Sequence, residues 1–431
     1  MGLAENISKQ FELLEKGLNG QKASPAHKIR EQAFAVFRNL GIPGMRHEEW
    51  KYTNIKTQLP ESLQVVAAAH NSIDKNKFNS FSDIKATKLV FINGSFSKEL
   101  STILSQDGLT TGCLKEQFEN NKTGIEKHFG QLTKNYEEHF SSLNTAFITD
   151  GAFIHIRKGV EANHPIFILH LYNAPENFVK SRDLIIAEEG SKANIIIDFQ
   201  NTGSTGFYNH VSEIYVAKNA VLDVAKLQLH KADTTGIHTL EADVSRDAKF
   251  SCTTISFDGK LIRNNNNVRL VGENVEAHMN GLYYATGHSL IDNHILVDHT
   301  VPNCESNQLY KGILDDEATG VFNGKILVKK DAQKTNSYQS SKAILLSDEA
   351  SVNAKPQLEI FADDVKCSHG ASIGQLDDNE VFYLRARGIE EKDAKSLLTY
   401  AFANAIIQKI KVEEVRKYVE EKLRTRLGLE F

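Results

Sequence analysis

Apolar residues at helical spacing open the chain. In "ENISKQFELLEKGL", Ile7, Phe11, Leu14 and Leu18 recur every three or four positions and predict an amphipathic helix that stops before Gly20. "PAHKIREQAFAVFRNLG" repeats the design. Pro25 suits a helix start, Ala33, Phe37 and Leu40 line one face, and Gly41 supplies the stop. The next stretch, "GIPGMRHEEWKYTNI", carries the only tryptophan, Trp50, beside Tyr52. An aromatic pair after a Pro/Gly turn predicts a loop anchored on a core.

From Lys88 to about Leu384 the pattern changes to short β-rich runs such as "KLVFING", "IFILHLYN", "DLIIAEEG" and "HILVDHTV". Many runs end in an acidic or polar turn followed by a small residue. Those residues are Ser191, Ala220, Ala248, Val275, Ala318, Ala332, Ala350 and Val365. The first three steps are 29, 28 and 27 residues, and the last three are 14, 18 and 15. Steps that cluster near one unit or its double predict a solenoid of stacked strands, each rung burying its face on the next. A β-sandwich also uses many short strands and is the competing architecture. A solenoid has open ends with unpaired backbone groups, so those ends need caps or partners.

After "FYLRARGI" the helical period returns. In "EEKDAKSLLTYAFANAIIQKI", Ala394, Leu397, Leu398, Ala401, Phe402, Ala405, Ile406 and Ile410 mark an apolar face. Glu390, Glu391 and Asp393 at its start and Lys409 and Lys411 at its end suit the helix dipole. Tyr400, Ala403 and Ile407 form a second seam, which makes the apolar arc wider than that of an ordinary surface helix. Val412, Val415, Val419 and Leu423 mark a further helix. The pattern therefore divides the chain into an N-terminal helical region with a linker (1–87), a β core (88–384) and a C-terminal helical domain (385–431).

Composition narrows the function. With 41% hydrophobic and 24% charged residues the chain is globular, and a net charge of -5 gives no reason to expect nucleic acid or an anionic membrane as partner. No apolar run is long enough to span a bilayer, and the opening stretch predicts neither a secretory signal nor a transit peptide. Cys113, Cys252, Cys304 and Cys367 are far apart, which predicts free thiols in a reducing cytosol.

The chain has no phosphate loop, dinucleotide fingerprint, nucleophile elbow or H-E-x-x-H. "HSLIDNHILVDH" places His294 on one strand face with Asp292 and Asp298, with His299 on the other; a satisfied polar stack between rungs is the plain reading. In "DDVKCSHGASIG", Cys367 and His369 project to the same side of a strand. They can share one ion of the zinc, iron or copper(I) kind, or the imidazole can lower the thiol pKa. Two ligands do not complete a site, so a buried, unreactive cysteine stays open as the alternative.

"HEEWKYTNI", "KTNSYQSSKAILLSDEASVNAKPQLEIFADDVKCSHGASIG" and "FYLRARGI" together resemble the SufB/SufD family of iron–sulfur cluster assembly proteins, nearer its SufD-like branch. The resemblance implies a mainly β protein, a right-handed parallel β-helix flanked by helical regions. It also implies a non-catalytic subunit of a cytoplasmic scaffold, pairing with a SufB-like paralogue and a SufC-like ATPase. Sulfur-accepting relatives carry a cysteine where this chain has Ser340, in "Tyr338-Gln339-Ser340-Ser341", and serine cannot hold a persulfide. Cys367 and His369 then fall where the two paralogues meet, as an interface half-site. Tyr400, Ala403 and Ile407 fall where the ATPase docks, as a seam exposed in the isolated chain. No tightly bound cofactor is expected in the isolated chain; iron or a transient iron–sulfur cluster belongs to the complex. Reduced flavin in the complex and a homodimer in isolation stay open. A SufB-like sulfur acceptor is disfavoured by Ser340, and a β-helix enzyme acting on carbohydrate by the missing secretion signal.

Overall fold

The computed structural model describes residues 3–17, 25–65, 73, 78–120, 125–134, 138–174, 177–202, 206–230 and 233–429. Leu18 and Gly20 of the first expected helix lie outside them. The chain opens with α1 (Leu3–Gly17) and α2 (Pro25–Leu40). Next come β1 (Gln64–Val65), β2 (Thr87–Ile92), β3 (Ser95–Phe96) and β4 (Leu109–Cys113), then α3 (Leu114–Asn120) and α4 (His139–Phe147). A long run of strands begins with β5 (Ala152–Ile156), β6 (Ile166–Tyr172), β7 (Asn177–Ala187), β8 (Lys192–Asn201) and β9 (Phe207–Val216). It continues with β10 (Val221–Leu229), β11 (Thr235–Val244), β12 (Lys249–Phe257), β13 (Leu261–Leu270) and β14 (Glu276–Ala285). It ends with β15 (Leu290–His299), β16 (Glu305–Leu314), β17 (Thr319–Val328), β18 (Thr335–Leu345), β19 (Ser351–Ile360) and β20 (Val365–Gly374). Helices α5 (Asp378–Arg385), α6 (Glu391–Ile407) and α7 (Glu413–Leu427) close the described chain.

From β5 onward the strands alternate between two sheets. One runs β19-β17-β15-β13-β11-β9-β7-β5-β4 and the other β20-β18-β16-β14-β12-β10-β8-β6-β2-β3. The successive rungs pair in parallel, and only β2–β3 and β4–β5 are antiparallel. This is a parallel β-solenoid, and the parallel register excludes the sandwich.

The turn spacing has a structural cause. Ser191, Ala220, Ala248 and Val275 sit just before β8, β10, β12 and β14, one full coil apart, and all are buried. The residue before each is left-handed: Gly190, Asn219, Asp247 and Asn274 have φ of 69°, 58°, 59° and 59°. Glycine, asparagine and aspartate tolerate that conformation best. It aims the backbone amide at the next rung, so Gly190 N donates to Lys218 O at 2.9 Å, Asn219 N to Arg246 O at 3.0 Å and Asp247 N to Glu273 O at 2.9 Å. The later, shorter steps are half coils, because Ala318, Ala332, Ala350 and Val365 introduce successive strands, β17 to β20.

Both outer flanks are covered. Ile7, Phe11, Phe37, Trp50, Phe140 and Phe147 of the N-terminal half pack on Phe178, Phe207, Ile237 and Leu261 of the odd-numbered sheet. On the even-numbered sheet, Ala403, Ile406, Ile407, Val415, Val419 and Leu423 of α6 and α7 pack on Phe167, Leu227, Ile255 and Leu282. Each such aliphatic side chain contributes about 1.5–3 kcal/mol when fully buried.

Three expectations need correction. The β core was expected to reach Leu384, but its last strand ends at Gly374, and "FYLR" lies in α5, which starts at Asp378. Asp377 caps that helix, its carboxylate accepting from Asn379 N at 2.8 Å. The β-textured region also contains α3 and α4, too short for their period to stand out. Finally, the seam of Tyr400, Ala403 and Ile407 is not exposed. Ala403 and Ile407 are fully buried and Tyr400 is half-buried, because this side of α6 faces the sheet. Ala401 and Ala405, expected on the buried face, are the exposed ones.

Candidate functional site

The solenoid's last turn is built differently from those beneath it. On β18, burial alternates strictly: Ser337, Gln339 and Ser341 point inward and are buried, while Tyr338 points out. On β19 and β20 that alternation is lost, and most of β20 is exposed. These two strands end their sheets, so each has one edge with no neighbouring strand.

Register places Cys367 opposite Ser337 and His369 opposite Gln339. The two therefore continue inward-facing polar columns to the open end. In one column His299 Nε2 meets Ser306 Oγ at 2.9 Å, and Ser306 Oγ meets Ser337 Oγ at 2.6 Å, below Cys367. In the other, Gln339 Nε2 donates to Gln308 Oε1 at 2.7 Å. That leaves Gln339 Oε1 without a donor among the described residues, one rung beneath His369.

Cys367 is half-buried, packed beside Ile326, Val328, Ala332 and Ala362, whereas His369 is exposed. The other three cysteines are buried; burial pushes the Cys113 thiol up to about 12 and that of Cys252 up to about 11. Burial also raises the Cys367 thiol, opposed by a hydrogen bond from the Ser337 backbone. His369 is not among the influences on it, and the thiol is raised, not lowered. Two positions along a strand are about 6.6 Å apart in rise. A protonated thiol is a poor nucleophile but still becomes a ligand when a metal displaces its proton.

Among the described residues, two groups bring together three or more metal-ligating side chains, and neither includes Cys367 or His369. Ser340 lies on β18's outward side, half-buried, away from the column of Gln339 and Ser341.

Around the open end lies an apolar rim that the sequence reading missed. Phe361 is 63% exposed, Phe382 of α5 is 70% exposed and Tyr383 is 57% exposed, with Ile360 and Ile373 nearby in sequence on β19 and β20. Exposed large apolar side chains of this kind are candidate contact positions for a partner. Their signal was present in "EIFADD" and "VFYLR", but strand assignment of the second stretch hid its exposure.

The "HEEWKYTN" segment works as a clamp. The Arg263 guanidinium lies 3.9 Å from the Trp50 ring centroid and donates to Glu49 O at 2.7 Å and Asp292 Oδ2 at 2.8 Å. Thr53 Oγ1 donates to the same Asp292 carboxylate at 2.5 Å. Glu49 meets His294 Nδ1 at 3.1 Å and accepts from Asn323 Nδ2 at 3.1 Å, and Glu48 pairs with Lys355 of β19. Burial works against ionisation of Asp292, but His294 and Arg263 hold its carboxyl well below the usual range. The predicted sharing of a face by Asp292 and His294 holds, with His294 Nε2 2.9 Å from Asp292 Oδ1. His299 is buried on the inward side.

A solenoid with covered flanks, an open last turn and a thiol–imidazole pair at its mouth defines the structural class: a parallel β-solenoid flanked by helices. Residues 170–402 match the model of the SufBD core domain of SUF-system iron–sulfur cluster assembly, and residues 1–168 that of the SufBD N-terminal region. The chain belongs to the SufBD family. An iron–sulfur cluster assembly SufBD family protein of Synechocystis is 32% identical over 420 residues, covering 94% of this chain and 92% of its own. Escherichia coli SufD is 28% identical over 413 residues, covering 95% and 94%. A chloroplast protein of Arabidopsis thaliana is 27% identical over 422 residues, covering 94% and 87%. No described helix is long and apolar enough to cross a membrane.

Proposed function

We propose that this chain is a SufD-like, non-catalytic subunit of a cytoplasmic iron–sulfur assembly scaffold. It pairs through its open last turn with a SufB-like paralogue and, through its C-terminal helices, with a SufC-like ATPase. The observation that carries the reading is the bare end formed by β19 and β20, where two sheet edges, an apolar rim and the Cys367/His369 half-site coincide. A second solenoid docking there supplies strands for the free edges and the missing ligands in one step. Iron or a nascent cluster is the cargo of that shared site. The serine at position 340 supports a partner that receives sulfur in this chain's place.

With Ala403 and Ile407 buried against the sheet, the ATPase contact is assigned in this reading to the solvent side of α6, where Ala401 and Ala405 are exposed. The test is anaerobic co-purification of the chain with both partners, followed by iron content and cluster absorbance. His369→Ala is expected to keep the complex and lose the cluster signal. Ala405→Asp, on the exposed side of α6, is expected to lose the ATPase and keep the paralogue. Equal cluster content in wild type and His369→Ala would sink the half-site.

A further inference from the structure

The interior of the solenoid is polar where its outer flanks are not. His170 on β6, Asp183 on β7 and His210 on β9 are completely buried and converge from both sheets. His170 Nε2 lies 3.0 Å from Asp183 Oδ1, and His210 Nε2 lies 3.2 Å from Asp183 Oδ2. One potential ligand atom of each is within 4.8 Å of the others. Tetrahedral ligands at zinc–nitrogen and zinc–oxygen distances of about 2.0–2.2 Å sit about 3.3–3.6 Å apart, so small side-chain rotations suffice.

Two further features point to an ion rather than to a bare hydrogen-bonded triad. His210 Nδ1 is 2.8 Å from Ser181 Oγ, the kind of outer contact that orients a ligating imidazole, and Ser212 Oγ stands 2.9 Å from His210 Nε2 as a further oxygen. Moreover, His170 Nδ1 and both ring nitrogens of His238 and His230 have no hydrogen-bond partner among the described residues, although all three rings are buried. His238 is the direct neighbour of His210 along the sheet. Hydrogen bonding alone leaves this concentration of unsatisfied imidazole unexplained.

We propose that His170, Asp183 and His210 bind one divalent transition-metal ion of the zinc or ferrous-iron class, sealed inside the solenoid. Two imidazoles and a carboxylate suit those ions, whereas magnesium and calcium prefer oxygen ligands throughout. The site stands apart from the Cys367/His369 half-site and needs no partner chain. Because the ligands are inaccessible, the ion enters as the rungs close during folding and stays during chelator washing of the folded protein.

The experiment uses the full chain produced in medium supplemented with Zn(II) or Fe(II), washed with chelator while folded, and assayed by elemental analysis. Near-stoichiometric zinc or iron is expected in wild type and in the Cys367→Ser/His369→Ala double variant, and background levels in Asp183→Asn and His210→Ala. Ser181→Ala, which removes the orienting contact together with a hydrogen bond to Tyr172 OH, is expected to weaken affinity by about 10- to 100-fold. Background metal in wild type overturns the proposal, as does undiminished metal in His210→Ala. Should the ligand variants fail to fold, X-ray absorption of the wild-type chain decides: a shell of nitrogen and oxygen with imidazole scattering supports the site, and a sulfur shell overturns it.

Discussion

Along β13 and β15, outward polar groups lie beneath the N-terminal segment, with Arg263, Asp292 and His294 all engaged; along β19 and β20, the last strands of the two sheets, most outward positions meet solvent. Both regions have the same strand length and the same parallel register. The difference is what covers them. A flank protected by its own chain can hold buried charge, because each charge finds a partner in the same fold. An end that no other element of the chain covers exposes an imidazole and apolar side chains such as Phe361, which gain only when covered. The contrast implies that substitutions on the flanks act on folding, and those at the end act on assembly.

The largest effect is expected where the flank is most buried. Arg182 Nη2 lies 2.6 Å from Glu213 Oε2, both fully buried, and Glu213 also accepts from Gly130 N at 2.7 Å and Leu132 N at 3.0 Å. Arg182→Ala leaves that carboxylate without its cation and should cost about 3–5 kcal/mol, read as a lower urea midpoint. A midpoint that does not move would erase the contrast from the flank side.

Next comes the other flank. Ile407→Ala removes a side chain packed between α6 and the even-numbered sheet and should cost roughly 2–5 kcal/mol in thermal or urea unfolding. If the variant instead keeps wild-type stability and loses only ATPase binding, the seam is an interface after all.

A third prediction concerns pH. Burial pushes His299 down to about 4, whereas an unfolded histidine titrates near 6.5. A group held neutral in this way contributes stability that is complete above about pH 6.5 and is lost as pH falls toward 4. The loss is on the order of 3 kcal/mol for this residue alone. Wild type should therefore lose stability more steeply than His299→Gln across that window; parallel curves would show that His299 does not titrate with folding.

The smallest effect on stability, and the sharpest on assembly, is expected at the open end. Phe361→Asp should change unfolding by no more than about 0.5 kcal/mol. In the complex it should weaken pairing with the paralogue by about thirtyfold, the loss of a central anchor. Equal binding by variant and wild type would place the interface elsewhere.

Much of this was legible in the sequence. The turn-plus-small-residue repeat revealed the solenoid because a left-handed Gly, Asn or Asp followed by a buried Ser, Ala or Val recurs at the same corner of four successive coils. Helices α1, α2, α6 and α7 were long enough for their period to show, whereas α3 and α4, of 7 and 9 residues, were not. The inward side of the strands was the least legible. His210 and Ser212 on β9 alternate with apolar residues just as solvent-facing residues do, and no single strand says which side is inside.

By itself, then, the sequence determined the local conformations and the stacking repeat, since both depend on short-range backbone preference and period. It also determined that Cys367 and His369 share a strand face, a consequence of their spacing alone. Only the tertiary structure decided which face of α6 is covered, where the solenoid stops, and that His170, Asp183 and His210 meet. Those outcomes depend on register between rungs and on what packs against each flank, and residues far apart in the chain set both.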